Sequence, residues 1–217
     1  MTADLSVYLV TDSASASAAG HDLVSLVGEV ARAGVSAVQV REKDAPAAVF
    51  LETVLRISAV LPEDVALIVN DRVDVFLAAR SAGARVTGVH VGQSDLPVEA
   101  VRSLVGPGAL VGVSASSAEQ LLSAAASSAR VDYVGIGALH PTRTKSDAPP
   151  ALGHEGFARL VQTTQLPAVA IGGVGPADLL ALRRAGAAGA AVVSGLCSAA
   201  DPVVAARDLR AAWEGRS

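Results

Sequence analysis

The chain has 217 residues, of which 51% are hydrophobic, 3% aromatic and 18% charged, with a formal net charge of -4. That length fits one larger domain, residues 1–217, whose core must be packed mainly with Ala, Val, Leu and Ile. The lack of a basic block and of rings for bases to stack on argues against a nucleic-acid partner. A lone cysteine, Cys197, cannot make an internal disulfide, no Cys/His spacing suggests a zinc site, and a reducing cytoplasm suits the chain best.

The first strand is expected at Val7–Val10. The stretch "VYLVTDSASASAAG" resembles an apolar segment with a cleavage site, but no basic residue precedes it and Asp12 interrupts it, against a signal peptide. Seven more short apolar runs follow: Ala37–Val40, Ala66–Val69, Gly88–Val91, Leu110–Val113, Tyr133–Ile136, Ala168–Ile171 and Ala190–Val193. Each is continuous rather than alternating, as expected of parallel strands buried on both faces. Helical spacing lies between them at His21–Ala33, Ala47–Leu61, Val73–Ala82, Pro97–Leu104, Ser117–Ser127, Glu155–Gln162, Pro176–Ala185 and Pro202–Trp213. Pro97, Pro176 and Pro202 stand where a first turn tolerates a missing N–H. Gly34, Gly83 and Gly186 stand where a helix stops in a left-handed residue. The longest uncharged run, Leu160–Ala177, is broken by Gln162, Pro167 and Gly172, so no membrane span is expected.

Eight βα repeats of about 27 residues fit a (β/α)8 TIM barrel, an α/β fold of roughly 250 residues. A doubly wound open sheet is the rival. Its first βα turn would carry G-x-G-x-x-G, whereas "TDSASASAAG" follows Val10.

In a barrel, function sits on the loops at the carboxyl ends of the strands. Those positions hold "QVREK" (Gln39 to Lys43), "NDR" (Asn70 to Arg72), "HVGQSD" (His90 to Asp95), Ser114, Gly172–Gly173 and Ser194–Gly195. The sixth strand opens into "GIGALHPTRTKSDAPPALG", far longer than the usual connection of about 4–6 residues. Arg41, Lys43 and Lys145 are cations on one face of an acidic protein, and Asp71 and Asp95 are carboxylates on neighbouring strand ends. "NDR" alone reads equally as a solvated Asp71–Arg72 surface pair. With the second carboxylate beside it, the pattern suits Mg2+ bridging a diphosphate. The glycine turns after strands seven and eight match a common barrel phosphate position, so the site is expected to take two anions.

"YLVTD", "VQVREKD", "VNDRVD", "GVHVGQSDLP", "VGVSA", "DYVGIG", "PTRTK", "AIGGV" and "VVSGL" together, in that order, resemble the thiamine-phosphate synthase family over essentially the whole chain. The resemblance implies a transferase that joins a hydroxymethylpyrimidine diphosphate to a hydroxyethylthiazole phosphate and releases diphosphate. It implies that Gln39, Val40, Arg41, Glu42, Lys43, Asn70, Ser114 and Lys145 hold the pyrimidine diphosphate, with Arg41, Lys43, Ser114 and Lys145 catalytic. Thr142, Arg143, Thr144, Gly173, Val193 and Ser194 would surround the thiazole phosphate, and Asp71 and Asp95 would hold Mg2+. The partners are then two small phosphorylated substrates. A homo-oligomer is compatible with the Ala-rich helix faces, though no patch marks an interface.

The chain departs from the family pattern twice. Relatives usually read Gly-Pro and then an aromatic where this chain has Gly137-Ala138 and His140, and His140 is expected to pack in the aromatic's place. Ser116 stands where relatives often carry His, and where a thiazole tautomerase keeps its catalytic histidine, which disfavours that reading. A silent phosphometabolite-binding barrel or a phosphosugar isomerase would share the phosphate turns, but neither needs two metal carboxylates. His90 is expected to be a structural hydrogen-bonder and Cys197 buried packing. "HEGFA" at His154 lacks the second histidine of H-E-x-x-H, since Ala158 stands there. The Gly, Ser and Pro content of the 137–153 loop leads one to expect mobility without substrate.

Overall fold

Tyr8 and Val10 point one way from the first strand, Val7 and Leu9 the other, and all four are buried. A strand with two buried faces must be covered on both, which a barrel wrapped in helices achieves. A computed structural model describes residues 3–141 and 151–216. The strands are β1 (Val7–Val10), β2 (Ala37–Val40), β3 (Ala66–Asn70), β4 (Gly88–Val91), β5 (Leu110–Ala115), β6 (Tyr133–Gly137), β7 (Ala168–Ile171) and β8 (Gly189–Val192). They pair in parallel in chain order, and β8 closes on β1 through the register Val7↔Ala190 and Leu9↔Val192. The fold is a (β/α)8 TIM barrel.

The helices are α1 (Ser13–Ala18), α2 (Leu23–Ala33), α3 (Ala47–Val60), α4 (Val73–Ser81), α5 (Val98–Val105), α6 (Ala118–Ala126), α7 (Gly153–Val161), α8 (Pro176–Arg184), α9 (Ser194–Cys197) and α10 (Pro202–Glu214). Side-chain caps set several starts: Asp22 accepts from the Ser25 N–H, Ser117 from Gln120 and Asp201 from Val204. Gly34, Gly83 and Gly186 end helices with φ of 129°, 86° and 97°. Two elements escape the sequence pattern. α1 is built from Ser and Ala alone, without an apolar stripe, and is started by Asp12 accepting from the Ser15 N–H. α9 begins directly after β8, because Val193 (φ −111°, ψ −84°) leaves the extended region and starts a helix where the sequence suggests a simple Ser-Gly turn. Among the described residues, no helix is long and apolar enough to cross a membrane.

The core has two layers. An outer layer of Val, Leu, Ile, Ala and Phe lies between strands and helices. An inner layer inside the barrel includes Leu5, Tyr8, Val10, Ala37, Ala66, Ile68, Tyr133, Val169 and Ala191. Glycine makes room for the few large groups inside: a Cβ on Gly112 would lie 2.1 Å from the Tyr133 ring, and one on Gly135 3.2 Å from His90.

Candidate active site

The period of two along each strand decides which polar side chains enter the barrel. Tyr8 and Ala37 face inward, and so Gln39, two residues beyond Ala37, does too. Asn70 and His90 are register partners on β3 and β4, as are Ser114 and Gly135 on β5 and β6. The result is a hydrogen-bonded chain across the interior. The Gln39 amide donates to the Tyr8 hydroxyl at 2.8 Å, Tyr8 and Tyr133 share a 2.8 Å hydrogen bond, and His90 reaches Tyr133 through Nδ1 and the Ser114 hydroxyl through Nε2, both at 2.9 Å. Gln39, Tyr8, Tyr133 and His90 are all buried. Burial pushes both tyrosine hydroxyls far above their ordinary pKa, so they stay protonated as neutral links. Ser114 and Gln39 were legible in the sequence as strand-end residues and His90 as a structural hydrogen-bonder. The two tyrosines that connect them were not.

Above this floor, Asp71 follows β3 with φ of 59° and donates its N–H to the His90 carbonyl at 2.8 Å. Asp95 follows β4, and its Oδ2 accepts from the Gly92 N–H at 2.7 Å. Both carboxylates line an open crevice of about 460 Å³ with Arg72, Asp74, Leu77 and Leu96. Desolvation, together with the hydrogen bond and like charge of Asp95, pushes the Asp71 carboxyl up to about 6, while Asn70 and Arg41 act the other way. Asp71, Asp95 and Asn70 therefore meet at one point of the rim, within the electrostatic reach of Arg41. Arg72 does not pair with Asp71. It grips Asp74 with two N–H donors at 2.6 and 2.8 Å, which removes the surface-pair reading.

On β2's exit, the Arg41 N–H donates to the Thr11 hydroxyl at 2.9 Å. Val40 is fully buried in the outer layer, which leaves only its main chain free to meet a ligand. Glu42 accepts from the Ser13 hydroxyl, and Lys43 is exposed. On the far side, the β6 and β7 exits are laced together: the Leu139 N–H donates to the Ile171 carbonyl at 2.8 Å and the His140 N–H to Gly172 at 2.9 Å. The Gly137–Ala138 peptide bond is cis. Gly172 and Gly173 have φ of 96° and 69°, and a Cβ on either would come within 2.7–2.8 Å of Ala138 or His140, so both the conformation and the close approach require glycine. Gly173, after β7, and Ser194, after β8, are both exposed, and Val193 beside Ser194 is half-buried. Thr142, Arg143, Thr144 and Lys145, and most of the loop expected to be mobile, lie outside the described residues.

His140 takes up neither a purely apolar nor a phosphate-facing role in the chain itself. Its ring meets that of His154 edge-on with centroids 5.6 Å apart, and its Nε2 lies 2.9 Å from Asp178 Oδ1. Ser116 is engaged with the Gln120 side-chain oxygen through its N–H at 2.7 Å. Cys197 is fully buried, with its thiol pushed up to about 11 by that burial, so it packs and does not attack.

A sequence profile described as thiamine monophosphate synthase matches residues 7–196. The chain belongs to that family. It is 44% identical over 208 residues to the thiamine-phosphate synthase of Azorhizobium caulinodans, covering 95% of this chain and 94% of that one. The thiamine-phosphate synthase of Syntrophomonas wolfei is 40% identical, with 99% of each chain covered. Among solved structures, thiamine phosphate pyrophosphorylase from Pyrococcus furiosus superposes with a TM-score of 0.85 at 31% identity, covering 99% of this chain and 98% of that one. As a member of this synthase family the chain is an enzyme of the transferase class.

Proposed function

We propose that this chain joins a pyrimidine carried on a diphosphate to a thiazole phosphate, forming thiamine phosphate and releasing diphosphate. The observation that carries the reading is the Asp71–Asp95 carboxylate pair beside Arg41, set over the polar floor of Gln39 and Ser114. Desolvation first, and then the hydrogen bond and like charge of Asp95, hold the Asp71 carboxyl up at about 6, and a cation between the two carboxylates would relieve both. An all-oxygen donor set with few protein ligands fits Mg2+, which keeps waters and takes phosphate oxygens as its remaining ligands. Asp71 and Asp95 would hold the ion, and when bound it neutralises charge building on the leaving diphosphate.

The rest falls to side chains. Arg41, Lys43 and Lys145 stabilise the diphosphate oxygens as the carbon–oxygen bond breaks, and the electron-rich aminopyrimidine carries the positive charge left on its methylene carbon. Gln39, Asn70 and Ser114 orient that ring, the first and last fixed from beneath by the tyrosine–histidine chain. The backbone at Gly173 and Ser194, with Thr142, Arg143 and Thr144, holds the thiazole phosphate. That places the ring nitrogen, whose own lone pair forms the new carbon–nitrogen bond, in line with the carbon. No proton leaves the nitrogen, so no general base is required. Work on small phosphorylated metabolites suits the cytoplasm.

The test is diphosphate release with both substrates, with and without Mg2+, beside Asp95→Ala. Magnesium-dependent formation of thiamine phosphate that the variant loses is the expected result. A folded protein that releases nothing under any condition would overturn the reading and leave a phosphate-binding barrel.

A further inference from the structure

We propose that His140, His154 and Asp178 form a second metal site, for a borderline transition-metal ion such as Zn2+. The three residues come from separate places in the chain: His140 follows β6, His154 opens α7 and Asp178 stands in the first turn of α8. Their ligand atoms all lie within 4.8 Å of one another. Both imidazole Nε2 atoms approach the same oxygen, Asp178 Oδ1, at 2.9 Å. The other carboxylate oxygen is already taken by the Gly175 N–H at 2.9 Å. That bond fixes the carboxylate's orientation in the way outer-shell donors fix metal ligands. Asp178 is only 12% exposed, whereas the His140 and His154 side chains are 36% and 46% exposed and open to an entering ion.

The donor chemistry differs from that at Asp71 and Asp95. Two imidazole nitrogens and one carboxylate oxygen suit Zn2+, Co2+ or Ni2+ and are a poor set for Mg2+, which takes oxygen ligands. Metal–ligand bonds of about 2.0–2.2 Å place tetrahedral ligands roughly 3.3 Å apart, so each Nε2 would withdraw from Asp178 Oδ1 by about 0.4 Å, within a group whose ligand atoms already lie inside 4.8 Å of one another. Three protein ligands leave one position for water or an oxyanion. The site lies at the exits of β6 and β7, away from the exits of β3 and β4 that carry Asp71 and Asp95. It abuts the Gly173 turn, where a Cβ would come 2.8 Å from His140 Cβ. Because His140 precedes and His154 follows residues 142–150, one ion would bridge both sides of the segment that holds Lys145. Sequence spacing hides the site: the second histidine is fourteen residues upstream of His154, not four downstream.

The full chain, stripped of metal and returned to saturating Mg2+, should be titrated with Zn2+ by calorimetry and with Co2+ by visible absorption. The expected result is one Zn2+ per chain and the intense d–d bands of a four- or five-coordinate Co2+ ion. Affinity should fall by about tenfold or more in both His140→Gln and His154→Gln, and stay unchanged in Asp95→Ala. Both histidine positions are partly exposed, so these variants should fold, and far-UV circular dichroism would confirm it. No binding, binding that either histidine variant leaves unmoved, or binding displaced by Mg2+ overturns the proposal.

Discussion

Replacing Tyr133 with Phe removes one hydroxyl from the middle of the chain that crosses the barrel floor. The ring stays, with its tilted contacts to Tyr8 and His90 at centroid distances of 6.1 and 5.4 Å, so the change is almost purely polar. Tyr8, 1% exposed, loses its phenol partner, and His90 loses the 2.9 Å bond at Nδ1. A buried polar group stripped of its partner costs about 1–3 kcal/mol, and a lost hydrogen bond about 0.5–1.5 kcal/mol more, so the variant should be destabilised by roughly 2–4 kcal/mol. For a domain of this size each kcal/mol lowers Tm by about 2–4 °C, which predicts a fall of roughly 4–16 °C. Urea and thermal unfolding would measure it. The double variant Tyr8→Phe/Tyr133→Phe should cost less than the sum of the two single changes, because both ends of the shared bond are then apolar. The same substitution releases Ser114 and Gln39 from their common support, so KM for the pyrimidine diphosphate should rise. A Tm within about 2 °C of the parent, with strict additivity in the double variant, would refute the view that this network holds the floor together.

Asp71 supplies a pH prediction. Its folded pKa of about 6 lies above the ordinary 3.8, so the folded state binds the extra proton between those values. This group's contribution therefore favours folding at low pH and is lost as pH rises through about 6, and the stability of the metal-free parent relative to Asp71→Asn should fall over that window. Calorimetry in buffers of different ionisation heat should show Mg2+ binding weaken below about pH 6 and release a proton there. Cys197 should resist alkylation in the native state and react once on unfolding, as its burial and a thiol pKa of about 11 require; fast native labelling would contradict that. Gly112→Ala places a Cβ 2.1 Å from the Tyr133 ring and should abolish or severely destabilise the fold. Gly83→Ala meets nothing within 4 Å and should cost only the left-handed conformational penalty of about 1 kcal/mol, read from parallel melts.

The amino-acid sequence by itself determined where the strands lie, because each is a short, predominantly apolar run bounded by a polar strand end and a stretch of helical spacing. It also determined that Asn70, Asp71, Asp95, Ser114 and the Gly172–Gly173 turn stand at those ends. It was silent about faces: when both sides of a strand are buried, no alternation of polarity tells Tyr8 from Leu9, and only closure of the barrel turned Tyr8 and Tyr133 inward to meet Gln39 and His90. Pairings between distant residues were equally hidden. Arg72 is adjacent to Asp71 in sequence yet binds Asp74, and Asp71 feels Asp95, which belongs to the next strand. His140, His154 and Asp178 read as three unrelated residues until the β6 and β7 exits are laced side by side. Local pattern records what each segment buries, whereas the convergence of side chains from different segments is a property of the closed ring of strands that carries them.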